Sequence, residues 1–155
     1  MNTTTIPAIY ASTSGNTEIV VETIAEVWHG AGISLELHRS EQASVELLNQ
    51  NNLFLLATST WEHGKLNPFF RVFFEALKTQ NCSGKKAIFV GLGDTRYEPV
   101  LFCGGLDLLR ERWLAQGGQE LGRSLLIDGD PYPQLATTVM AWANETLTIL
   151  GQTNS

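Results

Sequence analysis

Between residues 11 and 18 the chain reads Ala-Ser-Thr-Ser-Gly-Asn-Thr-Glu. Hydroxyls at Ser12, Thr13, Ser14 and Thr17 and the amide of Asn16 surround Gly15, where a bare backbone can approach a ligand closely. An amphipathic pattern starts at once, with Val20, Ile24, Val27, Trp28 and Ala31 at helical spacing. The run therefore opens a helix, whose free N–H groups and positive dipole end attract an anion. It contains no Lys or Arg, and the G-x-x-x-x-G-K-[ST] run of a nucleotide P-loop does not occur. A cradle of hydroxyls and amides suits one phosphate monoester held by hydrogen bonds. The bland alternative is an ordinary Ser/Thr-rich cap loop, which its length and position disfavour.

Two further stretches have unusual composition. Residues 58–66 read Thr-Ser-Thr-Trp-Glu-His-Gly-Lys-Leu, and Trp61 fits no helical or strand period. A large aromatic on a loop can stack on a planar ring or fold back over the core. Residues 91–105 supply Tyr97 as a second aromatic wall and Asp94 as a polar reader. Two aromatics and a phosphate cradle describe a site for a phosphorylated planar heterocycle. Trp28, Trp113 and Trp142 sit at helical core spacing and need no such role. His29 and His38 read as surface or helix-end residues.

These loops need elements that bring them together. Stretches at 6–11, 33–38, 53–57, 87–90 and 121–127 read as strands, the second alternating with period two as a half-buried edge strand and the fifth running directly to Asp128 with no long interruption. The runs at 53–57 and 87–90 are continuously apolar, as in central strands covered on both faces. Helices are expected over 17–31 and 43–49. Another starts from Asn67 as cap with Pro68 at its first position. Phe69, Phe70, Phe73, Phe74 and Leu77 then fall on one face. Leu106, Leu109 and Trp113 mark a fourth helix, and Leu135, Val139, Trp142, Thr146 and Leu150 a fifth. Alternating strands and helices imply a doubly wound parallel α/β sheet with right-handed crossovers and helices on both faces. A ligand then sits at the carboxyl edge of the strands.

Composition narrows the function. With 155 residues the chain fits a single domain, 1–155, with an ordered core over about 5–150. Ten Lys+Arg against sixteen Asp+Glu give a net charge of −6, which argues against nucleic acid or an anionic membrane as partner. Cys82 and Cys103 make neither a disulfide framework nor a metal cluster. No signal peptide and no membrane-spanning run is visible, so a cytoplasmic location is expected. No nucleophilic triad or metal-ligand spacing occurs, so no catalytic residue is assigned.

The stretches Tyr10-Ala-Ser-Thr-Ser-Gly-Asn-Thr-Glu18, Ser59-Thr-Trp61 and Gly93-Asp94…Tyr97-Glu98…Phe102-Cys103-Gly104 resemble the three FMN-binding loops of the flavodoxins, in order and spacing. The resemblance covers essentially the whole chain and is closest to the short-chain form. It implies a five-stranded sheet of order 2-1-3-4-5. It also implies that Ser12, Thr13, Ser14, Gly15, Asn16 and Thr17 bind the FMN phosphate, with Ser59 and Thr60 beside the phosphate and ribityl chain. Trp61 and Tyr97 would sandwich the isoalloxazine, and Asp94 and the Cys103 backbone would meet its pyrimidine edge. Glu62, Gly93 and Phe102 belong to the same loops. Cys103 is expected to serve through its backbone and packing rather than as a redox thiol.

The function implied is a low-potential one-electron carrier, a monomer without a substrate site of its own. Glu62, Glu98, Asp128 and Asp130 would steer the basic face of a reductase or an acceptor oxidoreductase. The competing reading is an FMN-dependent quinone reductase, for which no segment could build a substrate pocket. A receiver domain would need paired carboxylates where Ser12-Thr13 stand, and a partner-binding module without FMN is the last alternative. Two departures from the flavodoxin pattern stand out. Glu62-His63 replaces the Gly-Asp that commonly follows the loop aromatic, and Pro99-Val100-Leu101 lengthens the third loop. The first places a residue without glycine's freedom at Glu62, where the flavodoxin turn favours a positive φ, and so predicts a first reduction potential shifted negative.

Overall fold

A computed structural model describes residues 4–96 and 102–153. The elements in chain order begin with β1 (Thr4–Ala11), α1 (Asn16–His29), β2 (Ile33–Arg39), α2 (Glu46–Gln50) and β3 (Leu53–Trp61). They continue with β4 (Lys65–Leu66), α3 (Arg71–Leu77), β5 (Lys86–Gly93) and α4 (Gly104–Ala115). Last come β6 (Gln119–Glu120), β7 (Leu125–Asp128) and α5 (Met140–Thr153). Tyr97, Glu98 and the 99–101 stretch lie outside the described residues.

The central strands are apolar along their whole length because alternate residues enter two different cores. From β1, Ile6, Ala8 and Tyr10 enter one core, and Ile9 and Ala11 the other. From β3, Leu55 and Ala57 separate from Phe54 and Leu56 in the same way. The first core takes Val20, Ile24 and Trp28 of α1 and Trp142 and Leu150 of α5. The second takes Phe73 and Leu77 of α3 and Leu106, Leu109 and Trp113 of α4. The sheet is thus covered on both faces, as the crossovers require. Its parallel ladders give the order β2-β1-β3-β5, followed by β6 and β7 in tandem beside β5. Setting aside the short antiparallel β4, this is the order 2-1-3-4-5.

The fifth strand, expected over 121–127, is corrected in its bounds. β6 and β7 are separated by residues 121–124, and Gly122 takes a left-handed φ of 71° that turns the chain out of the ladder. Two helix starts also differ. Asn67 does cap, its side chain accepting the Phe69 N–H at 2.9 Å, but Pro68–Phe70 form a 3₁₀ turn before α3. The tighter winding rotates Phe69 out to 41% exposure while Phe70 and Phe73 stay buried. Leu135–Val139 form a π-helical turn leading into α5. Among the described residues no helix is long and apolar enough to cross a membrane.

The three core tryptophans satisfy their indole N–H groups on distant carbonyls: Trp28 on Ala143 at 3.1 Å, Trp113 on Gln119 at 3.0 Å and Trp142 on Arg123 at 2.9 Å. Gly118 lies under Trp113 so closely that a Cβ would fall 2.3 Å from the indole nitrogen. Gly118→Ala should therefore destabilise the fold by about 1–3 kcal/mol through overpacking. The check is a lower urea midpoint with an unchanged slope.

Candidate functional site

Parallel register brings the strand ends to one edge. Ala11 pairs with Thr58, Thr58 with Gly91, Ser59 with Leu92, and Gly93 with Asp128. The loops leaving these ends surround an open cavity of about 400 Å³. Thr13, Ser14, Asn16 and Thr17 line it from the first loop, Ser59, Thr60 and Trp61 from the second, and Gly93 and Asp94 from the third. The cavity is therefore polar at one end and has an indole, 45% exposed, on its wall.

The first loop brings the start of α1 to the cavity. Gly15 stands ahead of α1 at φ 89°, a left-handed conformation open to glycine, and has no side chain with which to cap the helix. Ser12 is buried and does not line the cavity. Its hydroxyl accepts the N–H groups of Gly15 at 3.0 Å and Glu18 at 3.4 Å, and so shapes the loop from behind. Thr17 is 1% exposed, and its hydroxyl has no hydrogen-bond partner among the described residues. Such a group costs free energy unless something outside the chain pairs with it. It lines the cavity at the start of α1, where the helix dipole favours an anion.

The second loop is held by a buried amide. Asn67 is fully buried and donates to the Ser59 hydroxyl at 2.8 Å, which leaves the Ser59 proton free to be donated into the cavity. Residues 62–64 make the reverse turn that joins β3 to β4, where Trp61 pairs with Lys65. The left-handed positions of this turn are His63 at φ 61° and Gly64 at φ 71°. The glycine is thus displaced rather than missing, and the positive-φ penalty expected at Glu62 falls on His63.

The third loop packs against the second. A Cβ at Gly104 would sit 2.8 Å from the Gly64 carbonyl, and one at Gly105 would sit 2.8 Å from that of Ser59. The Gly105 N–H also donates to the Thr60 hydroxyl at 3.2 Å. Cys103, 1% exposed at φ 56°, ends the loop at the start of α4 and does not line the cavity; nor does Phe102, which covers Gly93. Asp94 is engaged by the Arg96 guanidinium at 2.7 Å and 3.0 Å, and this pairing holds its carboxyl below the usual range. Asp128 accepts the Thr95 N–H and hydroxyl at 2.9 Å and 2.7 Å, pinning the loop to the end of β7.

Sequence reasoning missed Asn67 as a support for Ser59, and it missed Arg96 and Gly129 at the cavity, which Asp130 lines as well. It also missed Arg39, which reaches the Ser12 carbonyl at 3.0 Å. Arg39 lies 27 residues from Ser12, and only the parallel pairing of β1 with β2 puts it there.

A three-layer α/β fold with a hydroxyl- and amide-lined loop and an exposed indole at its carboxyl edge is the architecture of a mononucleotide-binding class of proteins. The flavodoxin family model matches residues 9–142, and on that match this chain belongs to the flavodoxin family. It is 36% identical to the flavodoxin of Maridesulfovibrio salexigens over 126 residues, covering 79% of this chain and 85% of that one. It is 34% identical to the flavodoxin of Nitratidesulfovibrio vulgaris over 145 residues, covering 92% and 96%. Oxidised flavodoxin 2 of Bacillus cereus superposes with a TM-score of 0.84 at 28% identity, covering 93% of this chain and 98% of that one. A Fusobacterium nucleatum flavodoxin bound to flavin mononucleotide shares the fold at a TM-score of 0.77 and 19% identity, covering 93% and 97%.

Burial pushes the Cys103 thiol up to about 12, with Asp107 and Asp128 adding to the shift, and burial raises Cys82 as well. Both should resist a disulfide reagent in the native protein at pH 8 and react once urea unfolds it. The count of released chromophore in each state is the check, and rapid native labelling of Cys103 would contradict its buried placement.

Proposed function

We propose that this flavodoxin binds one FMN at the carboxyl edge of the sheet and carries single electrons at low potential between a reductase and acceptor oxidoreductases. The observation that carries the reading is the buried Thr17 hydroxyl, without a partner among the described residues, at the start of α1 across a cavity from Trp61. When bound, FMN supplies the redox chemistry, since its ring accepts one or two electrons.

The chain's own residues bind and orient. Thr13, Ser14, Asn16 and Thr17 offer hydroxyls, an amide and backbone N–H groups to the phosphate. Ser59, with its oxygen occupied by Asn67, donates toward the ribityl end, and Thr60 braces the second loop against α4. Trp61 offers one ring face for stacking, and Tyr97 is assigned the other. Gly93 and Asp94 meet the ring's polar edge, while Gly15, Phe102 and Cys103 act through backbone and packing and Glu62 through the backbone of its turn. Asp130 at the cavity and exposed Asp128 beside it resist added negative charge on the ring and favour a basic docking face. Such an encounter is small and transient, as suits a carrier that must leave each partner. The protein works as a cytoplasmic monomer. No described segment builds a substrate pocket above the cavity, so the quinone reductase reading gains nothing from the geometry.

Thr17→Val tests the reading through two effects of opposite sign. Removing a buried unpaired hydroxyl should leave the apoprotein as stable as the parent or more so. FMN binding should nevertheless weaken by about 1.5–3 kcal/mol, with riboflavin binding little changed. Equal loss for FMN and riboflavin would contradict the cradle. Separately, FMN should quench Trp61 fluorescence, and Trp61→Phe should bind FMN more weakly with most of that quenching gone.

A further inference from the structure

Behind the phosphate loop, and outside the cavity, lies a charged network that the binding roles above do not use. Arg39 is the last residue of edge strand β2, paired in register with Tyr10. Its Nη2 donates to the Ser12 carbonyl at 3.0 Å, and its Nη1 donates to Glu18 Oε2 at 2.6 Å. Its Nε faces Glu41 at 3.5 Å. The guanidinium lies 5.7 Å from the centre of the Tyr10 ring, and the Tyr10 hydroxyl donates to the same Glu18 oxygen at 2.6 Å. The next residue continues the tie: the Ser40 N–H reaches the Tyr10 carbonyl at 2.7 Å, and its hydroxyl reaches the Phe69 carbonyl at 2.8 Å.

We propose that Arg39 is a positioning residue for the phosphate-binding loop, clamping the Ser12 carbonyl to the first turn of α1 so that the N–H groups and hydroxyls of residues 13–17 face the phosphate. The deduction rests on the phosphate-cradle reading of the same loop. Arg39 does not line the cavity, so it acts through the loop and not by touching the ligand. Its two Nη donors grip the two ends of one bend, the Ser12 carbonyl and the Glu18 carboxylate, while the Ser12 hydroxyl ties the middle. Two directed bonds from one planar fork hold an angle that a single ammonium cannot hold. The guanidinium also pairs with Glu18, a carboxylate in the first turn of the helix that receives the phosphate. A loop without Lys or Arg of its own thus has a basic residue fixed behind it.

The experiment compares apoproteins of the parent, Arg39→Lys and Arg39→Gln. Each is titrated with FMN and riboflavin by fluorescence and with inorganic phosphate by calorimetry. Riboflavin shares the ring site but lacks the phosphate, so it reports the rest of the site. The account expects both variants to lose roughly tenfold or more in FMN affinity, the scale of one hydrogen bond to a charged group. Phosphate affinity should fall in parallel, and riboflavin affinity should hold. An unchanged ratio of FMN to riboflavin affinity in a folded variant overturns the proposal. So does equal loss for both ligands, since that marks a merely structural residue. If Arg39→Gln does not fold, Arg39→Lys, which keeps the charge, decides. A parent protein that binds riboflavin as tightly as FMN would instead refute the cradle reading itself.

Discussion

Everything at the site depends on the register of three parallel strands. β1, β3 and β5 pair so that Ala11, Thr58 and Gly91 lie side by side, and the loops that follow must leave from one edge. A shift of one residue in any ladder would send core side chains to the wrong face. The two cores on opposite sides of the sheet therefore fix that register, with Phe54 and Leu56 committed to one and Leu55 and Ala57 to the other. Binding geometry here follows from packing that lies well below the cavity.

At the edge itself the chain carries features that cost stability. Thr17 buries a hydroxyl with no partner among the described residues, and His63 and Cys103 hold left-handed backbone without glycine's freedom. All three lie in or beside the loops around the cavity. Close approach offsets part of the cost, because Gly104 and Gly105 let α4 sit directly against the second loop. A Cβ at either position would push the two loops apart.

The parts of the fold that hydrophobic pattern determines could be read from the sequence. Continuous apolar runs gave the central strands, and helical spacing placed Trp28, Trp113 and Trp142 in the cores. The first loop was legible because local chemistry defines it: six consecutive residues carry the hydroxyls, the amide and the glycine. Features set by backbone winding were not. The break at Gly122 looks from sequence like any glycine in a strand, and Phe69 reads as core until a 3₁₀ turn rotates it outward. The glycine of the β3–β4 turn was sought at position 62, whereas the pairing of Trp61 with Lys65 puts it at Gly64. Arg39 and Asn67 were missed because their roles exist only across the fold, through contacts to Ser12 and Ser59.

The central claim is that an external phosphate completes the hydrogen bonding of the first loop. A crystal structure of the protein with FMN tests it most directly. The account predicts a phosphate oxygen within hydrogen-bonding distance of Thr17 Oγ1, with N–H groups of residues 13–17 around it and the flavin ring against Trp61. A phosphate bound elsewhere, or a Thr17 hydroxyl still without a partner in the complex, would contradict it.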